Sequence, residues 1–209
     1  MFRSRLHAGL AHVGQALREP EAFALRWHRE AAPYAWWVFA ALGLTAVAGT
    51  LSYGLTLGIL GGPRRMAACA LACTAAAGTA WAVPLQALYI LNSLSGSRLR
   101  ASTTLLAALV TTSWGGLALM ASVPIGWFFT AAVPVSGFVL LVNLVVFAGV
   151  GAAMVDVFGR VMERLEPARG RAPGWWLVLV GAIGGELFYA FGLFDFSAIH
   201  QVTGRLLGQ

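Results

Sequence analysis

Apolar residues in this chain gather into five long runs, at about 35–60, 66–92, 101–122, 134–157 and 174–194, with short polar breaks between them. Roughly 20 predominantly apolar residues cross the hydrocarbon core of a bilayer as a helix. The pattern predicts an all-α, polytopic transmembrane helix bundle of about five spans, one membrane domain over 34–195 followed by a short polar tail at 196–209.

The first 33 residues keep a different rhythm. Leu6, Leu10, Val13 and Leu17 recur at helical spacing and form one apolar stripe over 1–18, with Arg3, Arg5, His12, Gln15 and Arg18 mostly elsewhere. Such an amphipathic helix has two natural places. It lies in the lipid interface, where Arg3 and Arg5 meet anionic head groups, or it packs on the protein's own cytosolic face. Glu19-Pro20-Glu21 restarts the chain, since Pro and acids both suit a first helical turn. A second short helix is predicted through Phe23 and Trp27 to Glu30, stopped by Pro33.

Within the spans the punctuation is specific. Trp36 and Trp37 open span 1, and Trp175 and Trp176 open span 5, as interface anchors. Gly54 and Gly58 form a small-xxx-small pair that invites close helix packing, and Gly181 and Gly185 form another. Gly61-Gly62-Pro63 reads as a tight turn. The first half of span 2 is almost all Ala, Cys, Thr and Gly, so it is expected among other helices, and Pro84 predicts a kink. Pro124 and Pro134 bracket an uncharged stretch, 123–133, whose Trp127, Phe128 and Phe129 suggest an interfacial segment such as a half-inserted hairpin. Glu163 and Arg164 fall on a helical extension of span 4. No internal repeat is visible, so the inverted-repeat plan of many transporters has no support.

Composition agrees with the membrane class. The chain is 59% hydrophobic and 11% charged, where soluble domains carry about 25% charged residues. The net charge of +6 comes from fourteen Arg and no Lys. With five spans, eleven of those Arg fall on the side of the N-terminus and three, Arg64, Arg65 and Arg205, on the other. The positive-inside bias then puts the N-terminus in the cytoplasm of a bacterial inner membrane. It also explains the charge without a nucleic-acid partner. Ala46-Val47-Ala48 looks like a signal cleavage box, but the apolar run continues to Leu60, which predicts an uncleaved anchor. Cys69 and Cys73, four residues apart in an Ala-rich run, are expected as small packing residues.

Candidate chemistry is sparse. His7, His12, His28 and His200 all lie outside the spans, so neither haem nor another metal nor any cofactor is expected. No nucleophile–base motif, zincin motif or phosphate-cradling loop is present, and no enzyme is expected. What remains is a polar layer at mid-depth: Glu186, Asn143, Thr112 or Ser113, and Thr79. A carboxyl in hydrocarbon must pair or take up a proton. Asn143 is its expected partner. One reading makes Glu186 the titrating group of a proton or ion path. The favoured one makes it interhelical glue that locks spans 4 and 5 beside a close Gly181–Gly185 contact.

Three segments, Tyr89-Ile90-Leu91-Asn92-Ser93-Leu94-Ser95-Gly96-Ser97-Arg98, Thr112-Ser113-Trp114-Gly115-Gly116 and Pro124-Ile125-Gly126-Trp127-Phe128-Phe129, resemble uncharacterised multi-pass membrane proteins of GC-rich bacteria of the planctomycete type. The five-span plan behind a cytosolic N-terminal segment is similar to that of Yip1-type membrane proteins, in topology alone. Neither resemblance implies an activity. The expected function is a non-enzymatic scaffold or accessory subunit of a membrane assembly, its partners the lipid bilayer and a protein partner or second copy. The alternative is a small channel or proton-coupled transporter subunit using Glu186.

Overall fold

The computed structural model describes residues 11–30, 34–94, 96–97, 99–168 and 174–194, without the side chains of 92 and 174–177. Every element in it is a helix. Helical residues 11–18 form α1; α2 is Pro20–Arg29, α3 Trp36–Leu57, α4 Gly62–Leu94, α5 Ala101–Ala132, α6 Ser136–Leu165 and α7 Gly174–Ala190. Four of these, α3 to α6, are long and apolar enough to cross a membrane. The fifth expected span is shorter than the apolar run suggested. Helix α7 has 17 residues, about 26 Å at 1.5 Å per residue, a little under the hydrocarbon thickness of about 30 Å.

Helix ends follow local chemistry. Pro20 occupies the first turn of α2 with Glu21 beside it, and Arg26, His28 and Arg29 close its last turn, both matched to the helix dipole. The α3–α4 turn runs through a 3-10 turn at Ile59–Gly61 to Gly62, whose φ of 78° only glycine adopts without strain. Helix α7 stops in a Schellman motif. Gly192 has a φ of 65°, Gly192 N–H donates to Tyr189 O and Leu193 N–H donates to Phe188 O.

Residues 123–132 are not a separate hairpin. Helix α5 continues through Pro124 to Ala132. A proline removes one backbone bond, whereas an irregular segment at membrane depth would leave many backbone groups without partners. The continuous helix is therefore the lower-energy solution. The helical extension of span 4 is present, with Glu163 and Arg164 in the last turns of α6.

The helices form a horseshoe. Helix α3 is its centre, packed on α4 at one side and α5 at the other; α7 packs on α4 and α6 on α5. The order around the bundle is α7–α4–α3–α5–α6, and α6 and α7 do not pack along their lengths. Backbones touch at the α3–α5 crossing. A Cβ on Gly49 would overlap the Gly116 carbonyl, and one on Gly116 would lie 2.7 Å from Ala46 Cα. Ser113 hydroxyl, 2.7 Å from Leu42 O, donates across the same crossing. Gly54 and Gly58 serve the α3–α4 contact as expected: a Cβ on either would fall 2.6 Å from backbone atoms of Ala70 or Met66.

Candidate functional site

Two features distinguish the molecule: a pinned N-terminal platform at one end, and a cavity inside the horseshoe.

The platform rests on α5 and α6. Ala16 and Phe23 are fully buried, in a cluster with Val38, Leu42, Leu106 and Val110. For residues 11–30, packing on the protein's own face is therefore the outcome; Leu6, Leu10, Arg3, Arg5, His7 and Pro33 lie outside the described residues. Tyr34 stacks on Phe23 with ring centroids 4.0 Å apart and donates its hydroxyl to Phe23 O at 3.1 Å. Burial pushes the Tyr34 phenol up from its ordinary pKa, against a smaller opposing effect of Arg26, so the hydroxyl stays a donor. Glu21 pairs with Arg160 of α6 at 2.9 Å, and Arg160 also reaches Asp156 at 3.1 Å. Ser97 donates to Glu166 at 2.8 Å, and the His28 ring meets Thr103 at 3.4 Å. These contacts gather α2, the α4–α5 loop and the end of α6 at one end of the bundle, where Arg18, Arg29 and Arg164 remain exposed.

The cavity has a volume of about 790 Å³ and is lined from each of α3 to α7. Helix α4 contributes Ala77, Gly78 and Trp81, α5 contributes Leu105, Ala108 and Gly115, and α7 contributes Gly181, Gly184 and Gly185. Its hydroxyls have their protons engaged. Thr50 donates to Thr74 at 3.1 Å, Thr74 to Ala70 O at 2.9 Å and Thr112 to Leu109 O at 3.0 Å. No charged side chain is among the lining residues.

Aromatic contacts from α6 close the cavity at two levels, one onto α4 and one onto α7. Toward the platform, Phe158 of α6 meets Trp81 of α4 edge to face at 5.8 Å. Farther along, Phe147 of α6 meets Phe188 of α7 at 4.7 Å and Phe194 at 5.6 Å. The Schellman turn at Gly192 folds Phe194 back onto Phe188, 5.1 Å away.

The expected polar layer is dispersed. Asn143 is buried, but its partner is Tyr53: that hydroxyl crosses from α3 and donates to Asn143 Oδ1 at 2.8 Å. Gly126 of α5 lies beside this bond, where a Cβ would make an ordinary contact 3.5 Å from the Tyr53 ring. Glu186 is exposed on α7, and among the described residues no hydrogen bond or ion pair reaches it. The expected Glu186–Asn143 lock between spans 4 and 5 is thus replaced by a Tyr53–Asn143 lock between α3 and α6. Thr79 is exposed, Thr112 is held within its own helix, and Ser113 bonds to α3. Gly181 and Gly185 make no close contact: a Cβ on either meets nothing within 4 Å, because both face the open cavity.

Trp36 is 79% exposed and Trp127 54%, at opposite ends of the bundle, while Trp37 is half-buried. The side chains of Trp175 and Trp176 lie outside the described residues. Cys73 is buried and Cys69 half-buried on the α4 face, packing as small residues. No His, Cys, Asp or Glu cluster among the described residues has the makings of a metal site.

Sequence reasoning missed Tyr53, Gly49 and Gly116. A tyrosine inside an apolar span was a signal for the first, because a buried phenol needs a partner. The glycine crossing had only a weak one, the small residues around Ala46-Val47-Ala48-Gly49.

No known protein family matches this chain, and no curated protein or solved structure matches it either.

Proposed function

We propose that this protein is a non-enzymatic integral membrane protein that works by binding, as a scaffold or accessory subunit of a membrane assembly. The observation that carries the reading is the pinned platform. The Phe23–Tyr34 stack and the Glu21–Arg160 pair hold α2 against the bundle, buried Ala16 holds α1, and Arg18, Arg29 and Arg164 remain exposed beside Glu19 and Glu163. A preorganised surface of mixed charge loses little conformational entropy when it docks a partner of complementary pattern, and its exposed arginines are the groups that would meet acids of that partner. Charge asymmetry along the chain puts this face in the cytoplasm of a bacterial inner membrane. The partner is a protein with an acidic surface or a second copy of the chain.

Purification in mild detergent followed by a native mass measurement tests the proposal. A defined complex or homo-oligomer is expected, lost in an Arg18→Glu/Arg29→Glu variant that still folds. A monodisperse monomer carrying no protein partner overturns it, as does a complex indifferent to both charge reversals.

A further inference from the structure

We propose that the cavity inside the horseshoe is a binding site for one acyl chain of a membrane phospholipid, which enters sideways between α6 and α7. The inference is independent of the scaffold reading and rests on the window between those helices. Two residues of α6 bound it: Phe147, which meets Phe188 of α7, and Phe158, which meets Trp81 of α4. Eleven residues separate them, about three helical turns and roughly 16 Å of helix, so both point the same way. That height matches one leaflet, about half of the roughly 30 Å hydrocarbon core. The window lies toward the platform end of the bundle, so the chain belongs to the leaflet on that side.

Both edges of the window are trimmed. Gly151 stands on the α6 edge and Gly181 and Gly185 on the α7 edge, and a Cβ on any of the three would meet nothing within 4 Å. The interior suits an alkyl chain. Its hydroxyl protons are already donated to protein oxygens, and no charged group lines it. Water there would lack the two to four polar partners it needs. A protein helix of membrane length cannot lie along the opening, because Phe147 of α6 meets Phe188 and Phe194 across it. An alkyl chain is an apolar occupant whose reach of one leaflet matches the height.

The test is native mass spectrometry of the full chain after detergent extraction, beside the variants Gly181→Leu and Gly151→Leu. Each variant fills one edge of the window, so either remains informative if the other fails to fold. One phospholipid per wild-type chain is expected, with at least a tenfold lower retained fraction in a folded variant. Equal retention in wild type and variants marks lipid held only on the outer surface and overturns the site. Retention of no lipid, or of an isoprenoid lipid instead of a phospholipid, overturns it as well. A second readout uses Trp81, which lines the cavity. In phosphatidylethanolamine/phosphatidylglycerol vesicles carrying brominated acyl chains, the Trp81-dependent share of fluorescence, defined against Trp81→Phe, is expected to be quenched in wild type and protected in Gly181→Leu. Identical quenching in both overturns the proposal.

Discussion

Two pairs of glycines in this bundle do opposite things. At the α3–α5 crossing, Gly49 and Gly116 bring two backbones into contact and close the structure. On α7, Gly181 and Gly185 have open space where a side chain would stand, and they keep the structure open. All four are small residues inside apolar runs, and the Gly181–Gly185 spacing of four is the pattern usually associated with tight packing. What separates the pairs is the neighbouring helix. Helix α3 is flanked on both sides, whereas α7 packs along only one. A small-xxx-small pattern therefore reports that a close approach is allowed; whether one is made depends on the helix order around the bundle.

The largest effect is expected at the crossing. Gly49→Val places a branched side chain into the Gly116 carbonyl, where neither backbone has room to yield. A loss of at least about 3 kcal/mol is expected, read as a collapse of the thermal transition in detergent. Retention of wild-type stability would mean that α3 and α5 do not cross there.

The polar lock comes next and sharpens the same contrast between closed and open sides. Tyr53→Phe leaves Asn143 buried without its donor and is expected to cost about 1 kcal/mol. Glu186→Gln, on the exposed face of α7, is expected to leave stability unchanged. Chemical unfolding of both variants in one detergent checks the pair. A larger loss for Glu186→Gln than for Tyr53→Phe would restore the carboxyl as the structural group and refute the observed pairing.

A smaller effect is expected at the platform. The Glu21–Arg160 pair has side-chain exposures of 25% and 46%, so solvent screens it. Glu21→Gln should cost about 0.5 kcal/mol at low salt and less at high salt. Hydrogen exchange of residues 11–30 is the sensitive readout. Faster exchange confined to that segment is expected, since the buried Phe23–Tyr34 stack remains; unchanged exchange at low salt would remove the pair from the fastening.

How much of this was legible in the chain follows from what each signal measures. Apolar length and polar breaks reported the helical class and the four long helices, because desolvating a backbone leaves helix as the cheapest solution. The error at Pro124 has a related cause, since a single proline costs one backbone bond and α5 runs on through it. Gly54, Gly58 and the turn at Gly62 were legible because each requirement is local to the chain. The Tyr53–Asn143 bond was not, since residues 90 positions apart meet only once the helix order is known. The Glu186–Asn143 expectation failed for that reason: similar depth is not proximity when α6 and α7 stand on either side of an opening.

The smallest effect is the most discriminating for the glycine comparison. Gly181→Ala adds a Cβ that meets nothing within 4 Å, and alanine favours helix over glycine by up to about 1 kcal/mol. Stability is therefore expected to stay level or rise by up to that amount, against the severe loss at Gly49. The measurement is the same thermal transition in the same detergent, and Gly49→Ala beside it makes the two substitutions differ only in which helix face receives the added carbon. A marked loss for Gly181→Ala would show that another helix, from this chain or a second copy, approaches α7 in the membrane. The open side would then be an interface, and Gly181 would join Gly49 as a contact glycine.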